Sequence, residues 1–280
     1  IEAVGDDVAG YAPGDRVMAF GANCFASHMV PGAAAVARMP DRLSYEEAAT
    51  IPTVFLTCWY ALREVARLAA GERVLIHGAA GGVGLAAIQI AQQSGAEVFA
   101  TAGNDEKRAH LRSLGVPHVF DSRSLAFADQ VLEATGGQGV DVVLNSLAGA
   151  AMEKSLKVLR PFGRFLEIGK RDLYANTRIG LRALRDNISY TAIDADQLLV
   201  HKPQLAARML REVSAQIESG ALRPLVHRVF PAAQAAEAFR MMQQSRHIGK
   251  IVLSFDAAPD AAPPSAPDSI KVSGDGAYLV

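Results

Sequence analysis

The rhythm of apolar and polar positions along the chain changes near residue 58. Before it, Gly and Pro punctuate short β-prone runs. Pro13-Gly14-Asp15-Arg16-Val17-Met18 predicts a tight turn feeding a strand. Tyr45–Ala49 predicts a short helix with Ser44 as its N-cap. Beyond residue 58, short apolar runs alternate with longer amphipathic ones. Strands are expected at Arg73–His77, Glu97–Thr101, His118–Phe120, Asp141–Asn145 and Arg164–Ile168, with a further one at Ile188–Ile193. Helices are expected at Gly82–Ser94, Asp105–Leu114, Leu125–Thr135 and Ala150–Leu159. That alternation predicts an α/β fold, a Rossmann-type parallel sheet covered on both faces.

From residue 196 the rhythm breaks again. A long helix over 203–219, a strand at Val226–Phe230, a helix at Pro231–Gln244 and a strand at Lys250–Phe255 are expected to return to the first segment. The expected division is therefore 1–57 and 195–255 as one lobe around a nucleotide-binding domain at 58–194. Residues 256–269 are rich in Ala, Pro, Asp and Ser and predict a linker. Ile1–Gly5 predicts a strand and Gly276–Val280 a strand just beginning, so both ends read as cut from a longer chain.

The 280 residues are 50% hydrophobic, enough to bury one large domain or two ordinary ones. A net charge of −1, from 28 basic and 29 acidic residues, argues against a grip on nucleic acid or an anionic membrane. No targeting signal or membrane span is visible. Cys24 and Cys58 are the only cysteines, too few for a disulfide framework or a four-thiolate zinc site. A reducing, cytoplasmic setting is expected.

The strongest motif is His77-Gly78-Ala79-Ala80-Gly81-Gly82-Val83-Gly84, between an expected strand and an expected helix. A phosphate needs close backbone approach, free N–H donors and a helix N-terminus. Gly81, Gly82, Val83 and Gly84 supply these, with Ala79 in place of the first glycine of the usual fingerprint. A purely structural turn is the bland alternative. The next strand ends at Thr101-Ala102-Gly103-Asn104, with no acid for a ribose 2′-hydroxyl, and Lys107 and Arg108 follow within a turn. That favours NADPH over NADH. Asn104 also suits a helix cap, with Lys107 and Arg108 on a solvated face, and the two readings are compatible. Asn145-Ser146-Leu147 ends the next core strand, where ribose and nicotinamide lie in such sheets, or forms a plain turn.

No metal site can be assembled, since no His shows ligand spacing with Cys or another His, and there is no Tyr-x-x-x-Lys pair. A zinc alcohol dehydrogenase and a short-chain ketoreductase are thereby disfavoured. His77 is expected to be packed rather than catalytic. Phe165–Asp172 brings Gly169 and Lys170 to a strand end, and Asp194 and Asp196 follow the next strand. Such a Lys can donate a hydrogen bond or proton to an enolate. An ion pair at a loop is the alternative.

The chain resembles the enoyl reductase domains of modular polyketide synthases and animal-type fatty acid synthase, in the zinc-free quinone-reductase-like branch of the medium-chain dehydrogenase/reductase superfamily. The resemblance rests on Tyr11–Met18, Ala48–Thr57, the Gly78–Gly84 loop, Gly139–Leu147, Gly163–Lys170 and His247-Ile248-Gly249-Lys250. It implies a nucleotide-binding domain inserted into a mostly-β, GroES-like catalytic lobe. It further implies Lys170 and Asp196 as proton donors, with Asp194 competing for the Asp role. Thr57 is expected to face the nicotinamide, and His247, Gly249 and Lys250 to close over the cofactor. The implied substrate is an enoyl thioester on acyl carrier protein, and the implied neighbours are dehydratase and ketoreductase domains. Whether the chain is monomeric or homodimeric stays open. The family's opening β-rich segment is not in this sequence, so the lobe is expected to be N-terminally incomplete. Three other readings are a free-standing quinone or alkenal reductase, a variant domain that closes a ring, and a non-enzymatic, degenerate nucleotide-binding domain kept for scaffold contacts.

Overall fold

The structure, a computed structural model, describes residues 1–255. The expected linker at 256–269 and strand at 276–280 lie outside the described residues. Strand β1 (Val17–Ala19) pairs antiparallel with β2 (Val36–Arg38). Helix α1 (Tyr45–Ala49) opens on a capping box: the Ser44 hydroxyl accepts from Glu47 N, and the Glu47 carboxylate accepts from Ser44 N. Helix α2 (Pro52–Trp59) follows and runs without a break into one π-helical turn, Tyr60–Val65. The sequence pattern missed this helix because Val54, Phe55, Leu56, Cys58 and Trp59 are all buried, leaving no one-sided stripe. The change of rhythm at residues 57–58 thus falls inside a continuous helix.

Six strands and four helices then alternate: β3 (Arg73–Ile76), α3 (Gly82–Gln93), β4 (Glu97–Ala102), α4 (Asp105–Ser113), β5 (His118–Asp121), α5 (Phe127–Ala134), β6 (Val140–Asn145), α6 (Ala150–Lys157), β7 (Leu159–Glu167) and, after the short helix α7 (Arg171–Tyr174), β8 (Ser189–Ala192). All pair in parallel, in the order β5-β4-β3-β6-β7-β8. The order reverses between β3 and β6, which opens a crevice at their carboxyl ends. Alternate residues feed two cores. Val74, Ile76 and Leu144 pack toward α2 and α3, and Leu75, Phe99, Val143 and Phe165 pack toward α5 and α6. Each such side chain contributes about 1.5–3 kcal/mol by leaving water. Helix α6 ends short of the expected Leu159, because Leu159 already pairs with Val140 as the start of β7.

Helix α8 (Asp196–His201) leads into α9 (Pro203–Glu218), then β9 (His227–Pro231), α10 (Ala235–Gln243) and β10 (Lys250–Ser254), with β9 and β10 parallel. The return to the first segment is direct. Ser214 Oγ donates to the Arg38 carbonyl at 2.7 Å, and Trp59 Nε1 donates to Glu212 at 3.0 Å. Two expectations need correction. Pro231 is extended (φ −57°, ψ 145°) and closes β9, so the expected helix at Pro231–Gln244 begins only after a 3₁₀ turn at Ala232–Gln234. Ile1–Gly5 forms no strand: its backbone meets Gly14 N and Asp15 O at Ile1 and otherwise lacks a ladder partner. Among the described residues, no helix is long and apolar enough to cross a membrane.

Candidate active site

The turn after β3 is built for close approach. Gly78 takes φ +59°, and a Cβ at Gly84 would collide with the backbone of Ala79, so only glycine lets α3 start this tightly. No side chain caps the first turn of α3, and no acid lies in it, so its N–H groups and positive dipole end are free for an anion. Helix α4 is the opposite case: Asn104 Oδ1 accepts from Lys107 N, and Asp105 and Glu106 sit in the first turn. From the loop before β10, Gly249 N donates to Ala80 O at 2.8 Å, with φ +72° at Gly249. Lys250 then lays its side chain over Gly82, whose added Cβ would stand 2.6 Å from Lys250 Cδ. Burial lowers the Lys250 pKa, and no hydrogen bond or ion pair among the described residues holds its ammonium. His247 lies close by; burial lowers its pKa, and the charges of Lys107 and Lys250 lower it further.

His77 supports this turn from beneath. It is buried, with Nδ1 2.9 Å from Thr101 Oγ1 and Nε2 2.8 Å from Ser155 Oγ. Ser155 gives its own proton to Ala151 O, so His77 donates from Nε2 and accepts at Nδ1. Burial pushes its pKa down to about 3, and the ring is neutral. Thr101, expected at the cofactor, is fully buried with its hydroxyl on His77, and its carbonyl accepts from Ala79 N. It braces the turn rather than facing the crevice.

At the end of β4 the structure separates the two basic residues that follow the strand. Arg108 is tied to Asp105, Asp121 and the Ala102 carbonyl. Lys107 reaches across to the Ser245 carbonyl at 2.6 Å, and desolvation followed by the charge of Arg123 lowers its pKa. Arg123, which no local pattern singles out, lies against Gly103, with Nε 3.2 Å from an added Cβ there. It follows β5, the sheet neighbour of β4, so only strand pairing brings it to Lys107.

At the ends of β6 and β7, Asn145 is fully buried and both its amide hydrogens are used. Nδ2 donates to Leu147 O at 2.7 Å and to Glu167 Oε2 at 2.6 Å, while Oδ1 accepts from Leu147 N. Its side chain is therefore spent on the turn, and the exposed neighbour Ser146 faces Gly78, with Oγ 3.2 Å from an added Cβ. Lys170 Nζ lies 2.6 Å from Asp194 Oδ2. The structure brings Asp194, not Asp196, to Lys170: Asp196 is exposed in the first turn of α8, and its N–H donates to Asp194 Oδ1 at 3.3 Å. Thr57 is half-buried on α2 and donates to the Thr53 carbonyl. Among the described residues, no group of three or more His, Cys, Asp or Glu is placed to hold a metal ion.

Comparison with known proteins agrees with this architecture. A family model described as zinc-binding dehydrogenase matches residues 114–253. A phenolphthiocerol/phthiocerol polyketide synthase of Mycobacterium tuberculosis is 46% identical over 281 residues, all of this chain but 13% of that protein. A mycocerosic acid synthase-like polyketide synthase of Mycolicibacterium smegmatis is 41% identical over 282 residues, again 13% of its length. The chain thus spans a small part of its curated relatives. Among solved structures, the CurF ER cyclopropanase of the curacin A pathway superposes with TM-score 0.84 at 40% identity, over 90% of this chain and 75% of that one. CurK enoyl reductase gives 0.80 at 41%, over 90% and 76%. The nucleotide-binding subdomain of the PpsC enoylreductase domain from Mycobacterium tuberculosis gives 0.59 at 48%, over 62% of this chain and 97% of that one. With the sheet order, the glycine turn and these relatives together, the chain belongs to the polyketide synthase enoyl reductases, in the zinc-free branch of the medium-chain dehydrogenase/reductase superfamily.

Proposed function

We propose that this chain reduces the carbon–carbon double bond of an enoyl thioester carried on acyl carrier protein, using NADPH. The observation that carries the reading is the pairing of an uncapped glycine turn with the Lys250 side chain laid over it, whose ammonium has no partner among the described residues. Together they fit a pyrophosphate. Lys107 and Arg123 beside Gly103 fit a 2′-phosphate, with no acid at the end of β4 to select a free ribose hydroxyl. When bound, NADPH supplies the hydride. The chain's own residues do the rest. Lys170 donates a hydrogen bond to the thioester oxygen as negative charge grows there, and Asp194 keeps that ammonium oriented. Lys170, Asp196 or water returns the proton to the α-carbon.

The test is direct. The protein, mixed with NADPH and a crotonyl thioester, is expected to consume the reduced-nicotinamide absorbance, and Lys170→Ala is expected to slow this by about 10²-fold or more. A Lys170→Ala protein with full activity removes Lys170 from the mechanism. Likeness to a protein described as an ER cyclopropanase favours one second reading, in which the hydride closes a ring on the substrate. Product analysis with a halogenated enoyl thioester separates the two.

A further inference from the structure

One buried acid has no part in the chemistry proposed above. Glu167, the last residue of β7, is 1% exposed. A carboxylate taken out of water is costly unless its oxygens are satisfied. Here each oxygen meets an N–H donor. Oε1 accepts from Gly169 N and Oε2 from Asn145 Nδ2, both at 2.6 Å, and the Tyr190 hydroxyl also donates to it. Among the described residues, no cation pairs with it. Its pKa is raised, by burial above all and also by the nearby Asp172, against the hydrogen bonds from Asn145, Gly169 and Tyr190 that lower it. Gly169 N and Asn145 Nδ2 can only donate, so each of the two carboxyl oxygens they meet serves as an acceptor.

The sheet does not need this group. Parallel pairing already joins Asn145 to Glu167 and Glu167 to Ala192 through the backbone. The carboxylate's one backbone partner is Gly169 N, in the loop that presents Lys170. Gly169 is shaped to it, since an added Cβ would stand 2.6 Å from Glu167 Oε1. On the other side, the Glu167 carbonyl accepts from Ile193 N at 2.7 Å, one residue before Asp194. Glu167 thus touches the backbone just before each member of the Lys170–Asp194 pair.

We propose that Glu167 is a positioning residue whose carboxylate fixes the Gly169–Lys170 turn and so holds the Lys170 ammonium in one stance at the crevice. This rests on the role given to Lys170 above. Glu167→Gln is the informative change, because it keeps the shape but sets an amide NH₂ against one of the N–H donors. In the full chain, Glu167→Gln is expected to lower kcat by about 10- to 100-fold, the scale of a misplaced group. Its NADPH affinity, measured by fluorescence titration, stays within about twofold of wild type. In a Lys170→Ala background the same change is expected to cost nothing further, because Glu167 acts through Lys170. A general brace would instead weaken NADPH binding, lower Tm and add its loss to that of Lys170→Ala. If Glu167→Gln does not fold, Glu167→Asp serves, with an intermediate kcat, unchanged NADPH affinity and the same absence of effect beside Lys170→Ala. Undiminished kcat in Glu167→Gln while Lys170→Ala is impaired, or additive losses in the double variant, overturns the proposal alone. Full activity in Lys170→Ala overturns the reading of Lys170 first, and this proposal with it.

Discussion

The Lys170 ammonium rests 2.6 Å from Asp194 Oδ2, and this contact joins the loop after β7 to the loop after β8 at the carboxyl edge of the sheet. Both side chains are over a third exposed, 38% and 36%, so the pair is a poor source of stability. Its proposed use is in aiming an amine. Asp194→Asn should therefore leave Tm nearly unchanged and lower kcat by about tenfold or more, with NADPH affinity intact. An unchanged rate in Asp194→Asn, with a fall in Asp196→Asn, would give the role to Asp196.

On the proposed reading, the cations along the crevice divide by phosphate. Lys250→Met removes the ammonium above the glycine turn and is expected to weaken NADH and NADPH alike, by about tenfold, or about 1.4 kcal/mol. Because that ammonium is partly desolvated and has no partner among the described residues, the same variant should raise the Tm of the free protein. Arg123→Ala is expected to weaken NADPH by a similar factor and to leave NADH unaffected. Titration of both nucleotides against both variants checks this; equal effects of Arg123→Ala on the two would take Arg123 away from a 2′-phosphate.

Gly84 leaves no room. Gly84→Ala drives a methyl group into the Ala79 backbone, and backbone cannot step aside as a side-chain end can. Overpacking of this kind costs about 1–3 kcal/mol, or roughly 2–4 °C in Tm per kcal/mol for a domain of this size. The loss of nucleotide affinity should exceed the loss of stability, because the displaced segment is the phosphate turn itself. Thermal melts with and without NADPH read both.

His77 gives the fold an acid limit. The unfolded side chain titrates near 6.5 and the folded one at about 3, so between these values the unfolded state holds the extra proton. Stability from this group is complete above 6.5 and falls as pH drops through the window, by about 1.4 kcal/mol per unit. Urea midpoints measured from pH 7 to pH 5 should fall more steeply for wild type than for His77→Gln, which can still bond Thr101 and Ser155. Parallel slopes would mean that His77 is protonated in the folded state.

Much of this was legible in the sequence. The six strands, the glycine turn, the missing acid after Thr101 and Lys170 at a strand end are all local patterns, set by period and by turn chemistry. What was not legible depends on pairing between distant strands. Arg123 joins Lys107 only because β4 and β5 are neighbours, and Asp194 rather than Asp196 meets Lys170 because of how the chain leaves β8. The side chains of Thr101 and Asn145 bond to protein, to His77 and to Glu167, which their position at a strand end does not reveal, since a hydroxyl or amide there points either to ligand or to protein. Helix α2 was hidden because a helix buried all round shows no amphipathic stripe.

The central claim is transfer of hydride from NADPH to the β-carbon of an enoyl thioester beside Lys170. The most direct measurement supplies the protein with crotonyl thioester and NADPH carrying deuterium at the transferable position, then analyses the product by mass spectrometry. The account predicts a butyryl thioester with one deuterium at the β-carbon, formed at a greatly reduced rate in Lys170→Ala. Labelled NADPH left unconsumed by a folded protein that binds it, or deuterium found anywhere other than the β-carbon, would contradict it.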